Sequence, residues 1–422
     1  MKLLCLSNGH GEDAIAVRIL KQLQEHPDAP EVAALPLVGE GHAYVQAGIP
    51  IIGPVKKMPS GGFIYMDGRQ LWNDVRGGLI GLTWAQYRLV RKWGKREGVI
   101  LAVGDIVPLL LGWLSGAPYA FVGTAKSEYY LRDEAGWLSK NRKREGWSGS
   151  VYLPWERWLM QRPNCRAVFP RDTITTNTLN RLGIKAFDLG NPMMDDIVAE
   201  SSNPDYIKNI PEWQEKNRPL TVVLLPGSRA PEAYHNWETI LETLPGVQGA
   251  FEGRSQIFLG AIAPSLDPQP LIQALAEAGW QEESDFPKTV PFLDPDAFIF
   301  SQGKAQLVLT QQAYHASLLA ADVAIAMAGT ATEQFVGLGK PALSLPGKGP
   351  QFNPQFAEAQ TRLLGVSVIL VNKPQDLGNT MKGVLSKPDL LQIIGDNGKR
   401  RMGTPGAARR LADCCLEVLS ST

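Results

Sequence analysis

Apolar runs of strand length alternate with segments of helical spacing along this chain, and they come in two sets. In the first half they fall at 2–6, 32–37, 99–103, 119–122, 167–169 and 185–189; in the second half at 220–225, 256–261, 307–309, 323–327, 342–345 and 366–371. Strands separated by helices fold most simply into a parallel sheet covered by helices on both faces. Between the sets lies a polar stretch dotted with prolines, from Gly190-Asn191-Pro192 through Pro204 and Pro211 to Arg218-Pro219, which reads as a linker. The expected organisation is therefore α/β, with doubly wound domains over 1–195 and 220–400 and a linker over 196–219. A chain of 422 residues is long enough for two such cores. Its last part, 401–422, places Ala408, Leu411, Ala412, Cys415 and Val418 at the spacing of an amphipathic terminal helix.

Composition narrows the class. With 44% hydrophobic and 20% charged residues the chain reads as globular, and a formal net charge of zero leaves no nucleic-acid partner expected. No run approaches the roughly 20 apolar residues of a membrane span. The run at 3–6 is too short for a signal peptide and passes into a polar loop without a small-residue cleavage site. The expected location is cytoplasmic, with any membrane contact peripheral, at the cytosolic face. Cys5, Cys165, Cys414 and Cys415 form no C-x-x-C pair and are expected as reduced thiols, the vicinal pair serving helix packing. His26 and His42 lie in loop-like contexts and His235 and His315 on helix-like segments, with no H-x-x-x-H spacing among them. Asp294-Pro295-Asp296 is formally a D-x-D pattern, but its central proline favours a turn. No metal or cofactor is expected.

In open α/β sheets ligands sit beyond the carboxyl ends of strands, so the loops there carry the chemistry. The first, Leu6-Ser7-Asn8-Gly9-His10-Gly11-Glu12-Asp13-Ala14, fits a loose G-x-G-x-x-A dinucleotide fingerprint, yet Glu12 and Asp13 would repel a pyrophosphate. In "LLPGSRAPE", Gly227 and Ser228 make a tight turn before a helix starting near Glu232, and Arg229 adds a cationic fork suited to phosphate; the alternative is a plain turn with an exposed arginine. In "MAGTATE", small residues leave room beside Gly329, Thr330, Ala331 and Thr332, whose hydroxyls suit capping or phosphate, and Glu333 suits either a first-turn cap or ribose hydroxyls. In "LPGKGPQFNPQF", the amides of Gln351, Asn353 and Gln355, followed by Gln360, suit the many hydroxyls of a sugar, or else form a polar surface loop.

The linked motifs "LLPGSRxxE", "GTATE" with "GKPAL", and "GNPMMDD" resemble lipid-A-disaccharide synthase, and more closely the related cyanobacterial and plant proteins, over most of the chain. The pattern is also similar to the peptidoglycan N-acetylglucosaminyltransferase. The resemblance implies the GT-B fold: two Rossmann-like domains facing a cleft, and a C-terminal helix crossing back to the first domain. It implies a glycosyltransferase, inverting and independent of metal, that moves sugar from a UDP-sugar to a lipid or amphiphilic acceptor. It would put Gly227, Ser228 and Arg229 on the donor pyrophosphate, Gly329 and Thr330 in the same pocket, Glu333 on ribose, and Gln351, Asn353 and Gln355 near the sugar. The acceptor would lie on the first domain, with Asn8, Gly9 and Gly11 lining its loop. A general base is then required, for which His10, Glu12, Asp13 and Asp105 are the candidates, although Asp13 also suits a first-turn acid and His10 a turn cap. A UDP-sugar 2-epimerase and a non-catalytic nucleotide-sugar-binding protein are the alternative readings.

An anionic membrane surface is the expected further partner. Leu82, Ala85, Leu89 and Trp93 fall on one helical face, with Arg88, Arg91, Lys92 and Lys95 largely on the other. Further on, Trp137, Trp147, Trp155 and Trp158 interleave with Lys140, Arg142, Lys143 and Arg144. A core helix with an ordinary solvated face is the alternative.

Overall fold

The computed structural model describes residues 1–56, 78–96, 98–138, 146–197, 218–287, 290, 292 and 294–420. Pro59, Lys140, Arg142, Lys143, Arg144, Pro204 and Pro211, and with the last two most of the expected linker, lie outside the described residues. The chain divides into unit 1, Met1–Asp195 with Gly403–Thr422, and unit 2, Asp196–Met402.

Unit 1 is built on a five-stranded parallel sheet in the order β2-β1-β3-β4-β7. Its strands are β1 (Lys2–Ser7), β2 (Glu31–Pro36), β3 (Gly98–Gly104), β4 (Tyr119–Gly123) and β7 (Cys165–Pro170); β5 (Arg132–Asp133) and β6 (Gly136–Trp137) form a separate small hairpin. Its helices are α1 (His10–Glu25), α2 (His42–Gln46), α3 (Leu79–Gly94), α4 (Ile106–Ser115), α5 (Pro154–Met160), α6 (Thr173–Arg181) and the terminal α15 (Ala407–Ser420). Every residue of β3 and β4 is buried, as strands covered on both faces require. Strand order reverses at β1, since the chain first crosses to β2 and then to β3 on the other side. That reversal makes the carboxyl ends of β1 and β3 a topological switch point.

Three expectations change here. Residues 185–189 form no strand: they shadow β7 through Val168 N–H to Lys185 O and Phe187 N–H to Val168 O, both 2.9 Å, and Gly190 (φ +88) then turns the chain away. Helix α3 buries Leu82, Gln86 and Val90 and exposes Ala85, because the Gln86 amide reaches inward to Leu37 O at 3.1 Å and Pro54 O at 3.3 Å. In α15 the buried stripe closes on Leu419, with Val418 half-buried.

Unit 2 carries an eight-stranded sheet in the order β10-β11-β12-β9-β8-β13-β14-β15. The strands are β8 (Leu220–Leu225), β9 (Gln256–Ala261), β10 (Gln281–Glu283), β11 (Phe298–Gln302), β12 (Ala305–Thr310), β13 (Val323–Ala326), β14 (Ala342–Ser344) and β15 (Val368–Leu370). Helices α7 (Glu232–Leu241), α8 (Leu244–Ala250), α9 (Gln269–Glu277), α10 (Tyr314–Ala320), α11 (Thr330–Gly337), α12 (Pro354–Leu364), α13 (Leu377–Leu385) and α14 (Pro388–Met402) complete it. The β12-to-β15 side is parallel as expected, but β10 and β11 pair antiparallel at one edge, an addition the apolar pattern does not reveal. Strand β10 is exposed throughout and carries two glutamates, the polar character of a managed sheet edge. The order reverses at β8, placing the switch point between β8 and β13.

Asp195 joins the terminal helix to unit 1. Its carboxylate accepts hydrogen bonds from Gly406, Ala407 and Ala408 at 2.8, 3.1 and 2.7 Å, which satisfies backbone donors at the positive end of α15. Arg410 returns the contact through Leu189 O at 3.0 Å, and α15 packs along α1. The Asp195→Ala variant is expected to lose about 1–2 kcal/mol of stability, as a removed helix cap does, and Asp195→Asn less, read from urea midpoints.

Candidate functional site

At the switch point of unit 1, the loop after β1 is shaped by side chains of its own chain. Gly9 has φ +157, and a Cβ there would stand 2.6 Å from Glu12 Oε2, so glycine lets Glu12 fold back over the loop. Gly104 (φ +135) likewise passes where a Cβ would overlap Asn8 Oδ1. Asn8 donates to Asp105 Oδ1 at 2.7 Å, and the same oxygen accepts Val107 N–H at 2.8 Å, capping α4. Thr124, after β4, donates to Glu12 Oε1 at 3.4 Å. Asn8, Glu12, Asp105 and Thr124 are thus brought together at the ends of three adjacent strands.

The four candidate bases have different settings. His10 is exposed at the first position of α1, beside exposed Gly11. Glu12 and Asp105 are half-buried, and burial raises the Asp105 carboxyl above its ordinary range against the hydrogen bonds from Val107 and Asn8. Asp13 faces inward: it is 2% exposed and accepts the Ser7 hydroxyl at 2.6 Å, while Ser7 also meets Tyr44 OH at 2.6 Å. Burial pushes Asp13 up to about 7 although the Ser7 hydrogen bond pulls the other way.

In unit 2 the loops after β8, β13 and β14 are bound to one another by buried side chains. Gly227 (φ +102) makes the turn after β8; Ser228 is exposed and Arg229 half-buried. From α7, Asn236 donates to Pro226 O at 2.9 Å and Met327 O at 3.2 Å, clamping the first two loops together. From α12, Gln360 donates to Ala328 O at 3.0 Å and Gly329 O at 3.4 Å. Carbonyls drawn inward in this way leave the helix N-termini to offer amide donors to an anion.

The predicted residues of these loops are used unequally. Thr330 is exposed at the start of α11 and Ala331 half-buried, whereas Thr332 is buried and gives its hydroxyl proton to Ala328 O at 2.6 Å, so it is not a phosphate donor. Glu333 is 9% exposed in the first turn of α11. Asn353 caps α12 through Phe356 N–H at 2.8 Å, leaving half-buried Gln351 and exposed Gln355 as the more open amides of that loop. Lys340 of the "GKPAL" motif donates to Leu318 O, Leu319 O and Ala321 O at 3.1, 2.6 and 2.7 Å, closing the end of α10, and burial draws its ammonium down to about 8. Asp294 forms a turn with Asp296 N–H at 3.0 Å and takes the Thr310 hydroxyl. Among the described residues no cluster of metal-ligating side chains occurs, and no helix is long and apolar enough to cross a membrane. Asn236 lies outside the strand-end motifs; its position one helical turn after Glu232, the last residue of "LLPGSRxxE", was the available signal.

No protein-family model matches the chain, and no curated protein matches it. Among solved structures it is similar to a UDP-GlcNAc 2-epimerase from Neisseria meningitidis bound to UDP-GlcNAc, at 14% identity and TM-score 0.54 over 99% of this chain and 100% of that one. It is similar to the MnaA–UDP complex of S. aureus, at 11% identity and TM-score 0.56 over 100% and 97%. It is similar also to MurG of Acinetobacter baumannii, at 14% identity and TM-score 0.56 over 99% of both chains. The fold is GT-B, the class these structures share with the two doubly wound sheets described above.

A pH dependence follows from Asp13. An unfolded aspartate titrates near about 3.9, so the unfolded chain gives up this proton well before the folded one, which titrates at about 7. The stabilising contribution is therefore complete below about pH 4 and is lost as the pH rises through about 7. Asp13→Asn is expected to gain stability relative to the unsubstituted protein between pH ~4.5 and ~8 in paired thermal melts; parallel profiles would refute this.

Proposed function

We propose that this chain is a UDP-sugar enzyme that transfers the sugar to a lipid or amphiphilic acceptor. The observation that carries the UDP-sugar assignment is the switch point of unit 2, where the Gly227 turn, the Arg229 guanidinium and the start of α11 occupy adjacent strand ends. In this reading Gly227, Ser228 and Arg229 take the pyrophosphate, Gly329 and Thr330 line the same pocket, Glu333 takes ribose, and Gln351 and Gln355 meet the sugar. An arginine and helix N-termini stabilise charge growing on the departing UDP by fixed electrostatics. The reading draws support from solved structures whose names carry UDP or a UDP-sugar. Its narrower form, a lipid-A-disaccharide synthase-like hexosyltransferase, rests on the sequence motifs.

Transfer to an amphiphile is favoured by one surface of unit 1. Helices α3 and α4 pack side by side, as do α4 and α5, and this region exposes Ile80, Trp84, Leu110, Trp147, Trp155 and Trp158. Trp84 and Trp147 are each 62% exposed, far beyond what a core aromatic shows. Helix α3 carries no acidic residue, and Arg88, Arg91, Lys92, Lys95 and Arg96 are exposed on it or just past its end. Tryptophan with surrounding cations suits the interface of an anionic bilayer. On unit 1 the general base is Glu12 or Asp105, the carboxylates gathered with Asn8 and Thr124; burial of Asp105 raises it toward the range a base needs.

A second reading, a UDP-sugar 2-epimerase, has its own support. UDP-GlcNAc 2-epimerases recur among the matched structures and outweigh the single transferase reported above, so the fold comparison leans toward epimerisation. Such an enzyme places its acid and base at the donor sugar and has no use for an acceptor surface.

Titration with UDP and UDP-sugars tests the shared part: Arg229→Ala is expected to weaken UDP binding at least about tenfold, the loss of a charged hydrogen-bonding group. Unchanged affinity would remove Arg229 from the phosphate site. Product analysis separates the two chemistries, since transfer releases UDP with a glycosylated acceptor and epimerisation returns an altered UDP-sugar. Binding to anionic vesicles is expected to be salt-sensitive and to fall about fivefold for each of Lys92→Gln and Lys95→Gln, the weight of one cation near such a surface. Indifference to lipid charge would reject the membrane assignment.

A further inference from the structure

Glu232 begins α7, directly after the turn that carries Gly227, Ser228 and Arg229, and is 8% exposed. A buried carboxylate in a first helical turn is ordinarily satisfied by its own helix. Here Glu232 instead reaches across to the loop after β14, where one oxygen, Oε1, accepts Phe352 N–H at 2.5 Å and Gln351 N–H at 3.2 Å. The loop is shaped for that contact. A Cβ on Gly349 would overlap the Glu232 carboxylate, and a Cβ on Gly347 would overlap Phe352 O, so glycine stands at both close approaches. Immediately beyond, Asn353 caps α12, whose Gln360 returns to the loop after β13.

We infer that Glu232 is a positioning residue that latches the 347–352 loop onto the glycine-turn helix and so sets the placement of Gln351 for recognition of the donor sugar. The ligand half of this inference rests on the UDP-sugar reading above; the latch rests on the contacts alone. The two loops nearest the proposed pyrophosphate are held by a different device, Asn236 between Pro226 O and Met327 O. Loss of Glu232 therefore separates two effects. Contacts to UDP stay in place, while the loop assigned to the sugar loses its anchor. Because a single oxygen accepts both amides, a neutral carboxamide can do the same work, and the charge of Glu232 is not what the latch requires.

The test is hydrogen–deuterium exchange over residues 347–353 in ligand-free protein, combined with calorimetric titration by UDP and by a UDP-sugar panel. Glu232→Ala is expected to speed exchange at Gln351 and Phe352 by about tenfold, the scale of two hydrogen bonds lost together. It should leave UDP affinity within about twofold and weaken the preferred UDP-sugar about tenfold relative to UDP. Glu232→Gln should restore both readouts, and Gly349→Ala, with Glu232 intact, should reproduce the Glu232→Ala pattern. Unchanged exchange in Glu232→Ala, or a Gln variant that behaves like Ala, overturns the latch. Equal losses for UDP and UDP-sugar overturn the positioning role. If the unsubstituted protein binds neither ligand, the UDP-sugar reading and the ligand half of the inference fall together, and exchange alone still decides the latch.

Discussion

Asp195 is the contact on which the architecture of unit 1 depends. One carboxylate takes three backbone amides at the start of α15, and through them the end of the chain becomes part of the first unit. The polypeptide leaves unit 1 after Asp195 and re-enters it at Gly403, so departure and return are tied by the same few hydrogen bonds. Their strength has an electrostatic origin. The uncompensated N–H groups of a helix N-terminus are where an anion is most favoured, and no side chain of α15 itself supplies one there. The apolar stripe of α15 then covers α1, which completes a face of the sheet that would otherwise meet water.

The same economy of polar contacts organises unit 2. Three loops follow three neighbouring strands, and in each case a buried side chain from a helix, not a neighbouring loop residue, fixes the backbone. Asn236, Gln360 and Glu232 work between elements distant in sequence, at separations of 91, 32 and 120 residues. An irregular loop needs such partners because its buried carbonyls and amides have no ladder to join. Fixing them in advance means that an arriving anion would meet donors already aimed, without paying to order them on binding. Lys340 shows that the resemblance motifs mix such scaffolding with chemistry: its ammonium closes a helix end rather than facing a ligand.

The two readings of function divide along the two units. In the proposed reading unit 2 takes the nucleotide sugar, and nothing in that unit bears on what becomes of it. Unit 1 carries the features that distinguish the fates: clustered carboxylates near Asn8, and an aromatic, cationic face on α3 and its neighbours. Glycines beyond β1 and at the end of β3 serve this cluster. Gly9 and Gly104 make room for Glu12 and Asn8, which explains a glycine loop that carries acids.

Period and punctuation in the sequence were enough to determine the two α/β sets, most strand positions and the terminal helix, because burial on both faces forces continuous apolar runs. The strand-end loops were legible for the same reason: Gly227, Gly329 and Gly347 sit directly after such runs. The edge strands β10 and β11 were not, since β10 is polar and exposed, and the inward turn of Gln86 defeated an apolar-face reading of α3. Only the tertiary structure decided which polar residues of these loops are taken up in holding the scaffold. Thr332, Asn353 and Asp13 have the right chemistry for a site, and their hydrogen bonds to Ala328, Phe356 and Ser7 commit them elsewhere. The physical reason is that a hydroxyl or carboxylate binds whatever donor or acceptor the fold brings within reach, and that partner is set by contacts a hundred residues apart in sequence as readily as by neighbours.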